Sequence, residues 1–358
     1  MNHDTASATP CHGYAARDAG SPLQPHSFTR RALRPDDVRI EIRYCGVCHT
    51  DLHQARNDWR NTVYPCVPGH EIVGEVTALG AEARRYRVGD WVAVGCLVDS
   101  CKSCSECTDG REQYCRTGAT LTYNGKDRHT GEITFGGYST DIVVREDFVL
   151  RLPQGLDPAR AAPLLCAGIT TWSPLRHWRV GPGSKVAVVG LGGLGHMGVK
   201  LAHGLGADVT VVTRSPDKAT EAHSLGAQRV LISTDGAAMK AAFGTFDFVL
   251  DTIPVVHEID AYLRLVRPQG AMVLVGVIDT IPAFTSRLVI GGRKTLSGSA
   301  IGGIAETQEL LDFCAARGIV AECEMTPIQR IDEAFARMER GDVRYRFVID
   351  MQSLRSQG

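Results

Sequence analysis

Hydrophobic and polar positions follow one pattern up to about residue 155 and another after it. VRIEIRYCGV (38–47), EIVGEVTALG (71–80), GDWVAVGC (89–96) and STDIVVREDFVLRLP (139–153) are β-branched runs broken by Gly, Asp and Pro. They predict short strands at the spacing of a barrel or sandwich. LDPARAAPLLCAGITTWSPLRHW (156–178) reads as helical. The stretch from Ser184 to Ser215 then reads strand, glycine turn, helix, strand. FDFVLDTI (246–253) and GAMVLVGV (270–277) are continuous apolar runs, as expected of strands covered on both faces. Strands alternating with helices imply a parallel, doubly wound sheet, so the fold class is α/β. The end is mixed: AETQELLDFCAARG (305–318) and IDEAFARMERGD (331–342) predict helices, and RYRFVID (344–350) a closing strand. Residues 1–20 carry no motif and are expected to be disordered.

Composition narrows the function. A chain of 358 residues exceeds one ordinary core, so two domains are expected. A formal net charge of −1 offers no footprint for nucleic acid. No apolar run approaches the roughly 18–20 residues that span a membrane. The start lacks the basic and apolar regions of an export signal, which points to the cytoplasm. In that compartment the 12 cysteines suggest metal or catalysis before disulfides.

Two motifs carry chemistry by themselves. CKSCSECTDGREQYC places Cys101, Cys104, Cys107 and Cys115 where four thiolates can enclose one ion. A closed structural zinc is the preferred reading; an iron–sulfur cluster is the alternative. VVGLGGLG supplies Gly190, Gly192 and Gly195 between a predicted strand and helix, the context of a dinucleotide turn. NAD sites carry an acid some 20 residues further on. Here Thr213 stands there, followed by Arg214, Ser215 and Lys218, with Asp217 as the one acid nearby. Hydroxyls and cations in place of a carboxylate favour a 2′-phosphate, so NADP(H) is expected over NAD(H). A second, open metal site is suggested by Cys48, His70, Glu71 and Cys166, which come from separate segments.

GVCHTDLH, PGHEIVGEV, the cysteine knot, PLLCAGITTWSPL, GLGGLGHMGVK and DVRYRFVID occur in the order of the zinc-dependent medium-chain alcohol dehydrogenases. The chain resembles that family from about residue 35 to 350. Within it the chain is most similar to the cinnamyl alcohol dehydrogenase branch and its bacterial broad-range NADPH-dependent aldehyde reductases. The resemblance implies a GroES-like β-rich catalytic domain, residues 1–158 and 299–358. It implies a Rossmann domain, residues 159–298, inserted into it, with active site and cofactor in a cleft. Cys48, His70 and Cys166 match the catalytic zinc ligands, and Glu71 a carboxylate that ligates the zinc when the substrate position is empty. Thr50 and His53 match a proton relay. Asp51 matches an orienting acid, with Arg346 as its expected partner. The cofactor set extends to Thr170, Gly193, Leu194, Thr252, Val275, Gly276, Ser299, Ile301 and Arg346. Cys45 is expected in the core, and His49 on the cofactor side.

The resemblance also implies reversible hydride transfer between NADP(H) and an aldehyde or primary alcohol, two zinc ions per chain and a homodimer. Plant enzymes of the branch carry tryptophan at the position of Leu121 and phenylalanine at that of Ala300. Losing both rings widens the pocket and favours broad aliphatic and aromatic substrates over a dedicated cinnamyl role. Trp59 and Leu97 are further pocket candidates. The competing readings are a cinnamyl alcohol dehydrogenase proper, a polyol or secondary-alcohol dehydrogenase working in oxidation, a quinone or enoyl reductase, and a non-enzymatic zinc module.

Overall fold

The computed structural model describes residues 8–355. Its first strands were not foreseen. β1 (Thr9–Ala15) pairs antiparallel with β2 (Gln24–Arg30), from Thr9↔Arg30 to Ala15↔Gln24. The expectation of disorder over residues 1–20 is therefore corrected for 9–15, while 1–7 lie outside the described residues. TPCHGYA shows no clean alternation. Its order comes from partners far along the chain, with Tyr14 N donating to Tyr138 O at 2.9 Å and the Cys11 thiol 3.3 Å from Thr140 Oγ1.

The chain divides into two compact units, Met1–Cys166 with Gly303–Gly358, and Ala167–Gly302. The first continues with β3 (Asp37–Val47), α1 (His49–Ala55), β4 (Ile72–Leu79), β5 (Trp91–Val94), β6 (Leu97–Asp99), β7 (Thr120–Leu121), β8 (Asp141–Arg145) and β9 (Leu150–Arg151). Alternation along β3 puts Val38, Ile40 and Ile42 in the core, as a strand with one covered face requires. Segment 156–178 is not one helix. A short turn of helix (Pro158–Ala161) and a 3₁₀ stretch (Ala162–Leu165) precede α2 (Ala167–His177). Pro163 has no amide to continue a helical ladder. Cys166 falls at the break, with φ −129° and ψ −69°.

The second unit holds β10 (Lys185–Val189), α3 (Gly195–Gly204), β11 (Asp208–Thr213), β12 (Arg229–Ile232), β13 (Phe246–Asp251), β14 (Val266–Leu274) and β15 (Thr295–Gly298). The sheet order is β12-β11-β10-β13-β14-β15, all parallel. Val188, Val211, Val249 and Met272 have no exposed surface, which accounts for their apolar runs. The order reverses between β10 and β13, and ligands of such sheets bind beyond the carboxyl ends at that point.

The chain then returns to the first unit through α4 (Ile304–Arg317), β16 (Cys323–Pro327), α5 (Ile331–Glu339) and β17 (Arg346–Asp350). β17 pairs antiparallel with β3 and parallel with β16, giving the order β16-β17-β3-β4-β5-β9 with β8 also on β3. Phe347 lies opposite Val47. No helix of the described residues is long and apolar enough to cross a membrane.

The end of β13 is pinned by an ionic pair. Asp251 is buried and accepts from Ile253 N at 3.1 Å and His257 Nε2 at 2.7 Å, while His257 Nδ1 meets Val255 O at 2.8 Å. A ring facing a carboxylate on one nitrogen and a carbonyl on the other must donate from both, so it is an imidazolium. The Asp251 hydrogen bond raises His257 above its ordinary value. The stabilisation is complete below the ordinary histidine range and is lost as pH rises through the raised value. His257→Ala is expected to cost about 1–3 kcal/mol at pH 6 and clearly less at pH 9. Denaturant unfolding at both pH values checks this, and an equal loss at both would contradict it.

Candidate active site

The metal-ligating candidates meet in the first unit. Cys48 caps α1, His70 and Glu71 precede β4, and Cys166 sits at the helix break. One ligand atom from each lies within 4.8 Å of the others, and all four residues are buried. Cys48 Sγ and Cys166 Sγ are 3.9 Å apart, although 118 residues separate them. His70 Nδ1 bonds Asp51 Oδ1 at 3.1 Å. That contact fixes the ring and leaves Nε2 as the ligating nitrogen. Glu71 Oε1 is paired with Arg346 Nη2, whereas Glu71 Oε2 is buried without a hydrogen-bond partner.

Arg346 thus departs from the expectation that it pairs with Asp51. It rises from the start of β17 beside the end of β3, and Glu71 is the acid it meets. Its Nε has no protein partner. Gly46 makes room for the pair, since a Cβ there would overlap the Glu71 carboxylate.

Two thiols, an oriented imidazole and an orphaned buried carboxylate oxygen suit Zn²⁺. A cation here would satisfy the Glu71 oxygen that the protein leaves unpaired. Without a cation the four donors hold their protons unequally. A hydrogen bond from Cys166 holds the Cys48 thiol well below its ordinary value in spite of burial, with Arg346 and His70 adding to it. The same hydrogen bond keeps the proton on Cys166. Burial pushes the Glu71 carboxyl up to about 8, against the pull of Arg346. Burial alone would lower His70, but the Asp51 charge holds it well above its ordinary value.

α1 carries the relay candidates. Thr50 is half-buried in its first turn. His53 reaches partly exposed surface, its Nδ1 2.8 Å from Asp58 Oδ2 and its ring centroid 5.6 Å from that of Trp59. Asp58 escaped the sequence reading, although an acid five residues after the relay histidine was the available signal. Asp51 lies wholly inside and accepts from the Cys48 amide at 2.9 Å, the return half of a capping box. Cys45 is buried among Gly69 and Gly137, as core. His49 is exposed. Cys96 was also missed; its thiol points at Leu165 O, 3.7 Å away, beside Cys166.

The other cysteines form the second cluster. Cys101, Cys104, Cys107 and Cys115 place their sulfurs within 4.8 Å of one another. Backbone amides turn inward, with Cys104 N 3.3 Å from Cys101 Sγ and Arg116 N 3.5 Å from Cys104 Sγ. Amides of Ser103 and Cys104 draw the Cys101 thiol down to about 5. Four sulfurs leave no position for substrate, so the cluster fits a structural ion.

In the second unit the dinucleotide candidates gather at the carboxyl ends of the strands. Gly190 follows β10 with φ +90°, which only glycine adopts without strain. A Cβ at Gly195 would come within 2.2 Å of Gly190 O, whereas at Gly192 it would meet nothing within 4 Å. One glycine permits the helix to pack closely, and the other leaves backbone open to a ligand. Gly193 and Leu194 complete the loop into α3. Thr213 ends β11 with exposed Arg214 and Ser215 beyond it, and Lys218 Nζ reaches back to Leu191 O at 2.9 Å. Thr252 follows β13, donating to Val189 O at 2.8 Å. Val275 and Gly276 follow β14, and Ser299 and Ile301 follow β15. Thr170 lies buried in α2.

Of the pocket candidates, Leu97 and Leu121 are partners across β6 and β7, Leu97 buried and Leu121 exposed. Trp59 stands beside His53, and Ala300 is exposed in the second unit.

Comparison with known proteins agrees with this geometry. The family described as "Alcohol dehydrogenase GroES-like domain" matches residues 34–154, and the one described as "Zinc-binding dehydrogenase" matches residues 193–316. Aldehyde reductase YahK of Escherichia coli (strain K12) is 53% identical over 95% of this chain and 97% of its own length. The structure of cinnamyl alcohol dehydrogenase SbCAD4 from Sorghum bicolor superposes with a TM-score of 0.93 at 46% identity, over 96% of this chain and 98% of that one. That of the cinnamyl alcohol dehydrogenase from Helicobacter pylori, complexed with NADP(H), gives 0.90 at 39% identity over 96% and 99%. The GroES-like and zinc-binding dehydrogenase models and the superposition over nearly the whole chain agree with the two units seen here, and the chain belongs to the zinc-dependent medium-chain alcohol dehydrogenases.

Proposed function

We propose that the chain is an NADP(H)-dependent alcohol dehydrogenase that reduces a broad range of aliphatic and aromatic aldehydes to primary alcohols. The observation that carries this reading is the buried donor set Cys48, His70, Glu71 and Cys166 with its one unpaired oxygen. When bound, zinc supplies Lewis acidity to the carbonyl oxygen and NADPH supplies hydride to the carbonyl carbon.

The protein's residues do the rest. Cys48, His70 and Cys166 hold the metal, with Asp51 fixing the His70 ring. Arg346 holds one Glu71 oxygen, so the other would be available to the metal. The Thr50 hydroxyl gives a proton to the product oxygen and takes another from His53. Asp58 orients the His53 ring through its contact with Nδ1. Reduction consumes one aldehyde, one NADPH and one proton, and the relay delivers that proton. Gly190, Gly192 and Gly195 cradle the pyrophosphate. Thr213, Arg214, Ser215 and Lys218 receive the 2′-phosphate. The names of the relatives support the cofactor and the reaction. Leu121 and Ala300 carry no ring where plant enzymes of the branch carry tryptophan and phenylalanine, which supports the broad substrate range.

We also place the enzyme in the cytoplasm, since among the described residues no cysteine pair forms a disulfide. A homodimer is supported by β15, which ends its sheet with an unpaired edge. Val277, Ile281, Phe284 and Ile290 are exposed in the segments leading to it. Light scattering is expected to give twice the chain mass; a monomer that persists at micromolar concentration would remove this proposal.

An aldehyde panel assayed with each cofactor tests the function. NADPH is expected to be preferred at least tenfold, and Arg214→Ala with Lys218→Ala to erase most of the preference; equal use of NADH by the native protein would defeat the cofactor assignment. Metal analysis tests the centre. Cys48→Ala is expected to lose one of two zinc ions and all activity, while His53→Ala keeps both and turns over more slowly. Two zinc ions in Cys48→Ala would refute the ligand assignment.

A further inference from the structure

The Asp51 carboxylate has no exposed surface and four donors. Oδ1 accepts from Gly69 N and from His70 Nδ1, each at 3.1 Å. Oδ2 accepts from Cys48 N at 2.9 Å and Tyr138 Oη at 3.1 Å. A carboxylate has about four acceptor positions, so all are in use. Three donors belong to the zinc-ligand segments. The fourth comes from 87 residues away. Tyr138 is itself fully buried, and its ring occupies the space that Gly69 leaves, where a Cβ would lie 2.8 Å from ring Cδ1.

We propose that Tyr138 is a positioning residue for the catalytic zinc. Its hydroxyl fixes the Asp51 carboxylate so that one oxygen holds the His70 ring and the other the Cys48 backbone. This rests on the zinc reading of the Cys48, His70 and Cys166 site. Without the phenol, Oδ2 keeps the Cys48 amide and loses the other of its two donors, which weakens the hold on a buried carboxylate. The carboxylate then turns to recover contact, and both ligands loosen together.

Tyr138→Phe keeps the ring and removes the hydroxyl. The test is chelator competition on the purified holoenzyme, followed with a chromophoric zinc indicator; the Cys48→Ala variant identifies the phase that belongs to the open site. That phase is expected to weaken about tenfold in Tyr138→Phe, with the four-cysteine phase unmoved. Because Tyr138 acts through Asp51, the same substitution in an Asp51→Asn background should have a clearly smaller effect. Unchanged open-site affinity, or an equal fold-change in both backgrounds, overturns the proposal. A native protein with a single zinc would overturn the zinc reading and this proposal together, and the native zinc count separates that failure from the others.

Discussion

Two thiols, an imidazole and a carboxylate lie buried with ligand atoms within 4.8 Å of one another. Negative charge gathered there is costly unless it is compensated. The first unit is arranged around that constraint. Arg346 brings a buried positive charge to Glu71, and Asp51 binds the face of His70 that the metal does not use. Neither could do so from its own element alone. β17 must pair with β3 to deliver the guanidinium, and α1 must start at Cys48 so that Asp51 turns back onto the chain. Gly46 and Gly69 are small because a carboxylate and a phenol fill the space beside them.

The second unit meets a different demand, the approach of a diphosphate to bare backbone. Its glycines divide the work by position: φ +90° at Gly190, open space at Gly192, close packing at Gly195. The open donor set is surrounded by side chains, whereas this loop offers the main chain itself. Beyond β10, the ends of β11, β13, β14 and β15 add further candidate residues to the same edge of the sheet.

Much of this was legible in the sequence. Cys48, His70, Glu71 and Cys166 could be picked out through the resemblance of the motifs around them to a known family, and the glycine turn because it stood between a strand and a helix. The strands of the doubly wound sheet were visible in runs such as FDFVLDTI, buried on both faces. Other features left no local trace. Arg346 could have met either of two acids, Asp51 or Glu71, and the choice depends on the register of β17 against β3. Residues 156–178 have helical composition throughout, yet Cys166 has to leave the helix for its sulfur to reach Cys48. β1 pairs with β2 close by and is tied down further by residues more than a hundred positions away, and its short irregular pattern carried no signal. Tyr138 and Asp58 are single residues on loops, and only three-dimensional placement gives them meaning.

The dependence of Glu71 on Arg346 has a consequence for how the protein is made. The two partners lie 275 positions apart, with the whole second unit between them. During synthesis the four zinc donors emerge long before the guanidinium that neutralises the acid among them. A ribosome-bound chain can form the four-cysteine loop at once, because its ligands are close together. The Glu71–Arg346 pair forms only when β17 closes the sheet against β3. The charge balance of the buried acid is thus settled by topology, through the antiparallel pairing of β17 with β3.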